Sequence, residues 1–207
     1  MLTYGIDEAG RGPILGPMVV AVVAVTEGQA AALDGLGVRD SKAYGSGVRA
    51  HERRSEIVRQ LAHLTSAALF EVVSVSTIDA YTNRGALNEL EREVAARLLG
   101  RLAAPTEATI IADGARMFAP LTRAFPNLKA VDRGESAHVA VAAASILAKT
   151  VRDNEFSAIA ARYAAEYGPL SGGGYLNAPT RRFIDAYKAK HGSPPPETRL
   201  SWGAKKS

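Results

Sequence analysis

The sequence predicts an α/β fold in which helices flank a mixed five-stranded sheet. Strand-like apolar segments come first, and helical and strand-like segments then alternate along the chain, which is typical of α/β domains. We expect the first strands to pair antiparallel and the later ones to pair parallel. A length of 207 residues suits one domain. Residues 1–207 are therefore expected to form a single domain, with a helical C-terminal region at about 165–207.

Five short apolar segments are predicted to form the strands. The second, GPMVVAVVAVT, is rich in β-branched residues and fits a central strand buried on both faces. The fourth, ATIIA, leads directly into an Asp-Gly pair. In chain order the predicted strands are residues 1–6, 16–26, 66–75, 108–112 and 128–131.

Four further segments are predicted to be helices. In the second of these, Leu87, Leu90, Val94 and Leu98 recur at steps of three and four and form an apolar stripe. The third is alanine-rich, and its run of three alanines at 142–144 would allow a close approach to the sheet. The predicted helices are residues 49–64, 85–102, 137–163 and 179–190, with a loop at 35–47 and a glycine-rich break at 172–174.

The composition excludes several classes of chemistry. The chain has no cysteine, so disulfides, thiolate catalysis, iron–sulfur clusters and cysteine-bound zinc are excluded. Its longest apolar run, residues 18–25, is far shorter than the roughly 20 residues that a membrane helix needs. We expect a cytoplasmic protein that does not span a membrane, with a monomer as the default state.

The net charge of +4 is concentrated near the C-terminus. From residue 181 onward the chain has seven Lys or Arg residues and only two acidic residues, which gives this segment a net charge of +5. A basic C-terminal face is compatible with a polyanionic partner, although solvated surface charge would have the same composition.

Acidic residues follow two predicted strands and begin one predicted helix. Asp7 and Glu8 come after the first strand, Asp113 comes after the fourth, and Glu135 stands at the start of the long helix. Loops at one edge of a sheet would bring these carboxylates together, and their mutual repulsion would then call for a cation. Oxygen ligands suit Mg²⁺, and two divalent ions roughly 4 Å apart are a recurring arrangement for attack on a phosphodiester.

Each acid also has a purely structural interpretation. The Asp7-Glu8 pair is compatible with a solvated turn, and Asp113 before a glycine is a common turn residue. Glu135 at a helix N-terminus would stabilise that helix by roughly 0.3–1 kcal/mol.

Five sequence blocks resemble ribonuclease HII, the type 2 ribonuclease H family. In chain order they are YGIDEAGRGPILGPMVVA, LGVRDSK, IIADGA, RGES followed by AAASILAKTVRD, and GGGYLNAPTRRF. The resemblance implies a ribonuclease H-like fold with a helical C-terminal part. It also implies an endonuclease that cleaves RNA in RNA/DNA hybrids and single ribonucleotides embedded in duplex DNA. Such enzymes use Mg²⁺ or Mn²⁺ and leave 3′-hydroxyl and 5′-phosphate ends.

The resemblance also implies a set of metal ligands. Asp7, Glu8 and Asp113 match three ligands of the family, and Glu135 stands where the fourth is usually Asp. The related ribonuclease HIII family is similar to this chain in having Glu at that place, but it usually has Gly-Thr-Gly where this chain has Gly-Arg-Gly. The longer Glu135 side chain leaves the preferred ion open.

Substrate contacts are implied for two further groups of residues. The residues that match the family's readers of the 2′-hydroxyl are Gly10, Arg11, Gly12 and Tyr175. Two lysines match basic family positions that contact nucleic acid, Lys42 and Lys149. Loop packing for the tyrosine and solvated charge for the two lysines are the structural alternatives.

Other residues are expected to have structural roles. Arg152 and Asp153 are predicted to form ion pairs with other residues, and the single tryptophan, Trp202, to anchor the C-terminal tail to the core. His138, one turn from Glu135, is interpreted as a surface residue.

Two alternative functions stay open at the level of sequence. One is a nuclease of ribonuclease HIII character that acts on hybrids and ignores single ribonucleotides, which Glu135 would favour. The other is a non-catalytic nucleic-acid-binding module, for which the basic C-terminal face would suffice.

Overall fold

A computed structural model describes residues 1–38, 45 and 47–202 of the chain. Lys42, one of the two lysines expected to contact nucleic acid, lies outside the described residues.

The core of the structure is one mixed sheet with the strand order β3-β2-β1-β4-β5. Strands β1 and β2 pair antiparallel, as do β2 and β3, whereas β4 pairs parallel with both β1 and β5. This arrangement confirms the expected division between early antiparallel and later parallel strands. The strands are β1 (Thr3–Ala9), β2 (Met18–Val25), β3 (Ala67–Val73), β4 (Thr109–Asp113) and β5 (Leu128–Val131).

Helices cover both faces of the sheet. The helices are α1 (Glu27–Gly35), α2 (Val48–Leu64), α3 (Val75–Asn83), α4 (Leu87–Arg101), α5 (Ala115–Phe118), α6 (Gly134–Ala137), α7 (Val139–Tyr167) and α8 (Ala178–His191). Even-numbered residues of β2 pack into an apolar cluster with α4, and its odd-numbered residues pack into a second cluster with α2 and α7. Strand β2 is therefore buried on both faces, as its β-branched sequence predicts.

Helix α7 lies directly against β1 at Gly5. A Cβ atom at Gly5 would stand 2.1 Å from the carbonyl carbon of Ala140, so no side chain larger than hydrogen fits there. Ala142, Ala143 and Ala144 are fully buried, which confirms that the alanine run permits close packing. This contact fixes the long helix beside the strand that carries Asp7 and Glu8.

The prediction for the first strand was wrong at its C-terminal end. The strand was expected at 1–6 but continues to Ala9, so Asp7 and Glu8 lie within it and do not follow it. The reason is the antiparallel ladder with β2, which pairs Asp7 with Ala21 and Ala9 with Val19. Backbone pairing is indifferent to side-chain polarity, and the strand therefore runs through the acids.

Four of these helices were not predicted: α1, α3 and the one-turn helices α5 and α6. Helix α1 begins at a complete capping box, in which the Thr26 side chain accepts from the Gln29 amide and the Gln29 side chain accepts from Thr26. Helix α3 follows Ser74, whose hydroxyl accepts from the amide of Thr77.

No helix in the described part of the chain is both long and apolar enough to cross a bilayer.

Candidate active site

Neighbouring strands bring the acids of β1 and β4 to one place. The parallel register pairs Ile6 of β1 with Ala112 of β4, so Asp7 and Asp113 are the next residues on adjacent strands. Successive side chains of a strand point to opposite faces, which directs Asp7 towards α7 and Glu8 towards α4. The two acids thus approach the site from different sides of the sheet edge.

Asp7 is buried in a polar niche. One of its carboxylate oxygens, Oδ1, accepts a hydrogen bond of 2.8 Å from the backbone amide of Glu8, and the Ser145 hydroxyl of α7 also hydrogen-bonds to the carboxylate. Burial raises the pKa of Asp7 well above its usual value, and the charges of Glu8 and Asp113 raise it further. The two hydrogen bonds oppose this shift because they stabilise the ionised form.

Glu8 shares its surroundings with a second buried acid. Burial raises the pKa of Glu8 to about 7, with further contributions from the negative charges of Glu91 and Asp113. The Arg11 guanidinium acts in the opposite direction. Glu91 lies on α4 and is fully buried.

Asp113 and Glu135 form the other half of the site. The backbone amide of Gly134 donates a 3.0 Å hydrogen bond to Asp113 Oδ1, which ties the end of β4 to the start of α6. Burial raises the pKa of Asp113. The Glu135 carboxylate raises it further, because it accepts a hydrogen bond from protonated Asp113 and its negative charge repels the ionised form. Glu135 itself is 5% exposed. Glu135 thus adjoins Asp113, and the charge of Asp113 in turn acts on Asp7 and Glu8.

The donor set fits a hard divalent cation. Carboxylate oxygens are the ligands that Mg²⁺ and Mn²⁺ prefer. Burial, and after it the neighbouring carboxylates, raise the pKa values of Asp7, Glu8 and Asp113, and a bound cation would favour the ionised forms. Within residues 1–38, 45 and 47–202, no three acidic or histidine side chains already converge as a closed set of metal ligands. The carboxyl groups are close enough to influence one another without forming a preassembled cage.

Arg11 has contacts that its sequence context did not indicate. Its guanidinium pairs with the buried Glu91 carboxylate and donates a 2.6 Å hydrogen bond to Asn88 Oδ1. Some of the N–H donors of Arg11 are therefore bound within the protein.

Tyr175 lies over the Gly-Arg-Gly loop (residues 10–12). A Cβ atom at Gly12 would stand 3.0 Å from Cε1 of the Tyr175 ring and 3.3 Å from its hydroxyl. The amides of Ile14 and Leu15 donate to the carbonyl of Gly174 at 3.0 and 3.1 Å, which joins the two loops. Tyr175 is 58% exposed, so its ring can still contact a ligand.

The expected ion pairs on α7 are half confirmed. Asp153 lies 3.1 Å from the buried Arg54 and 3.4 Å from Lys149. Arg152 makes no such pair among the described residues. Its Nη2 donates to the carbonyls of Leu15 and Gly173 at 2.9 and 2.8 Å. The guanidinium therefore bridges two loops through their backbone carbonyls and does not pair with a carboxylate in the part of the chain that the structure describes.

Three residues near the site were missed at the level of sequence. They are Glu91, Ser145 and Arg199, all of which are at least partly buried. The first had a readable signal, because it follows Leu87 by four residues and precedes Val94 by three, inside the apolar stripe of α4. An acid in such a stripe indicates a buried, paired carboxylate.

Comparison with known proteins is consistent with this geometry. The profile of the family described as Ribonuclease HII matches residues 4–205. The chain is 38% identical over 207 residues to ribonuclease HII of Pyrococcus furiosus, covering 96% of this chain and 87% of that protein.

Solved structures confirm the ribonuclease H-like fold. Ribonuclease H2 from Pyrococcus horikoshii superposes with a TM-score of 0.79 at 27% identity, covering 98% of this chain and 94% of that one. Bst-RNase HIII in complex with Mn²⁺ gives a TM-score of 0.74 at 22% identity, covering 100% and 70%, and this shows likeness of fold alone. The chain belongs to the ribonuclease HII family, whose members are divalent-metal-dependent endoribonucleases.

Proposed function

We propose that this protein hydrolyses the RNA strand of RNA/DNA hybrids and cleaves at ribonucleotides embedded in duplex DNA. The reaction uses two metal ions, Mg²⁺ or Mn²⁺, and leaves 3′-hydroxyl and 5′-phosphate ends. The metal ligands are Asp7, Glu8, Asp113 and Glu135.

One observation carries the proposal: the four clustered acids adjoin a loop suited to sugar recognition. Asp7 and Glu8 lie in the last three residues of the strand that leads into the Gly-Arg-Gly loop, and Tyr175 packs against Gly12 of that loop. The proposed metal ligands of β1 and the candidate 2′-hydroxyl reader are thus separated along the chain by one residue, Ala9.

The acids supply negative charge on both sides of the sheet edge. When bound, divalent ions supply a Lewis acid and an activated water for in-line attack on a phosphodiester. The protein's part is to hold the ligands in place: Ser145 orients Asp7, and the Gly134 amide orients Asp113. Glu135 is one methylene longer than Asp, and its contact with Asp113 keeps it at the site.

Recognition of RNA requires a reader for the 2′-hydroxyl, which both donates and accepts hydrogen bonds. Backbone amides of residues 10–12 can donate to it, and the Tyr175 ring can stack on the sugar. Lys149, which is half exposed, supplies positive charge for the phosphate backbone.

The test is a cleavage assay on three matched duplexes: all DNA, DNA with one central ribonucleotide, and a full RNA/DNA hybrid. We expect cleavage of the second and third in Mg²⁺ or Mn²⁺, with 3′ ends that a polymerase extends and 5′ ends that a ligase joins. Cleavage of neither would refute the enzymatic proposal. Cleavage of the hybrid alone would refute the part concerning embedded ribonucleotides and favour a hybrid-only nuclease.

A further inference from the structure

The C-terminal turn (residues 199–202) reaches back to the Gly-Arg-Gly loop. Arg199 is completely buried, yet its guanidinium contacts backbone carbonyls and no carboxylate in the described part of the chain. Its Nη2 donates to the Gly10 carbonyl at 2.6 Å, its Nη1 to the Arg11 carbonyl at 2.9 Å, and its Nε to the Gly16 carbonyl at 2.9 Å. A buried guanidinium is costly unless its donors find acceptors, and here each of its three nitrogens donates to a backbone carbonyl.

Trp202 also binds the backbone of the same loop. Its indole Nε1 donates to the carbonyl of Gly12 at 3.1 Å, and the Arg199 guanidinium lies 5.0 Å from the centroid of its ring. Three consecutive carbonyls, those of residues 10–12, are therefore held by two side chains of one turn.

The turn is itself anchored to helix α3. The carboxylate of Asp79 accepts from the Leu200 amide at 2.9 Å, from the Ser201 amide at 3.1 Å and from the Ser201 hydroxyl. On the other side, the Arg199 amide donates to the Ile14 carbonyl at 2.8 Å. These bonds make the turn a fixed support for the guanidinium.

Holding the carbonyls determines where the amides point. In a planar trans peptide the C=O of one residue and the N–H of the next point in opposite directions, and the structure has no cis peptide among the described residues. Since the Gly10 and Arg11 carbonyls point to Arg199, the amides of Arg11 and Gly12 point away from it. Neither amide makes a backbone hydrogen bond within the described residues.

We infer that Arg199, with Trp202, is a positioning residue for ribonucleotide recognition: it turns the Arg11 and Gly12 amides outward as a preformed pair of donors for the 2′-hydroxyl. This inference rests on the proposed function, because it names the device that holds the reader of the same site. Preformed donors bind a hydroxyl without first reorganising the loop.

The test compares binding of two duplexes that differ by one 2′-hydroxyl. Affinities for an all-DNA duplex and for the same duplex with one ribonucleotide are measured in Ca²⁺, with gels to confirm that the duplexes stay intact. The variant is Arg199→Lys, which keeps the charge but cannot span three carbonyls with a planar fork. The matched control is Arg162→Lys, at an exposed arginine paired with Glu197.

The preference is the ratio of the affinity for the ribonucleotide duplex to the affinity for the all-DNA duplex. We expect Arg199→Lys to lower this ratio about tenfold, which corresponds to two amide hydrogen bonds, and to leave the affinity for the all-DNA duplex unchanged. Arg162→Lys should keep the preference. Trp202→Phe, which retains the ring but loses the N–H donor, should lose about threefold.

The outcomes separate this inference from the proposed function. A wild-type preference that survives in folded Arg199→Lys, or an equal loss for both duplexes, would overturn the inference alone. Absence of any wild-type preference would overturn the proposed 2′-hydroxyl recognition and the inference together. If thermal unfolding shows that Arg199→Lys does not fold, Trp202→Phe decides, and an unchanged preference in that variant would overturn the inference.

Discussion

The guanidinium of Arg11 pairs with the carboxylate of Glu91, a fully buried side chain on α4. The same carboxylate raises the pKa of Glu8, so one buried acid links the Gly-Arg-Gly loop to a proposed metal ligand. The Gly-Arg-Gly loop is thus held in two ways. The side chain of its own Arg11 pairs with Glu91, and the Arg199 guanidinium donates to the carbonyls of Gly10 and Arg11.

Glu91→Gln should make divalent-metal binding less dependent on pH. The glutamine side chain still accepts a hydrogen bond from Arg11, but removal of the negative charge lowers the pKa of Glu8. A smaller fraction of Glu8 is then protonated near neutrality, so protons compete less with the metal. We expect the ratio of Mn²⁺ affinities at pH 8 and pH 6, measured by calorimetry, to fall severalfold below the wild-type ratio. An unchanged ratio would show that the Glu91 charge does not act on the site.

Without divalent metal, the protein should lose stability as the pH rises from 5 to 8. The pKa values of Asp7, Glu8 and Asp113 are raised by folding, and that of Glu8 from 4.5 to about 7. Below the unfolded-state values both states are protonated, whereas above them the unfolded state releases protons first, so stability falls until the folded-state pKa is passed. Urea unfolding in EDTA at several pH values measures this slope.

Asp7→Asn provides the matched variant for that experiment. It removes one of the repelling charges, so at pH 8 in EDTA its melting temperature should exceed that of the wild type by roughly 2–4 °C, the shift for about 1 kcal/mol in a chain of this size. At pH 5 the two proteins should differ less. A wild-type stability that rises with pH would contradict the account of the acids.

Gly12→Ala should impair cleavage through Tyr175. The new methyl group would stand 3.0 Å from Cε1 of the tyrosine ring, tighter than ordinary contact, so ring and loop must separate. We expect at least a tenfold loss of kcat/KM on the single-ribonucleotide duplex. In a Tyr175→Ala background the same substitution should cost much less, because the clash is gone, and additive losses in this double-mutant cycle would contradict direct coupling.

Glu135→Asp should retain activity with a changed preference between Mg²⁺ and Mn²⁺. Shortening the side chain by one methylene moves the carboxylate relative to Asp113, and Mg²⁺ demands near-ideal octahedral geometry. Cleavage rates over a concentration series of each ion measure the preference. An inactive but folded variant would show that the longer side chain is required here.

The sequence predicts the sheet well because strand formation here follows from local apolar pattern. All five strands were identified, and β2 was correctly expected to be buried on both faces. Helix α1 was readable from its capping box but was overlooked. Helix α3 was harder to predict, because VSTIDAYTN has weak helix formers and its Asp79 is used by a turn 121 residues later.

At the site, too, some residues could be predicted from the sequence and others could not. Asp7, Glu8 and Asp113 could be singled out because each lies at or near the end of a short apolar segment, and the sheet then brings Asp7 and Asp113 side by side. Glu135 was singled out by its place at the start of the long helix. The partners of Arg199 are backbone carbonyls some 185 residues away in sequence, and no side-chain pattern encodes such contacts. Arg199, whose hydrogen-bond partners are backbone carbonyls, was missed for that reason.

The proposed metal site is tested most directly by cleavage of a DNA duplex with a single ribonucleotide, by wild type and by Asp7→Asn, in Mg²⁺ and in Mn²⁺. We expect one incision at the ribonucleotide by the wild type and none in an all-DNA control. We expect Asp7→Asn to lose at least a hundredfold in activity with binding of the duplex largely intact. Comparable cleavage by Asp7→Asn, or no incision by a folded wild-type protein in either ion, would contradict the proposal.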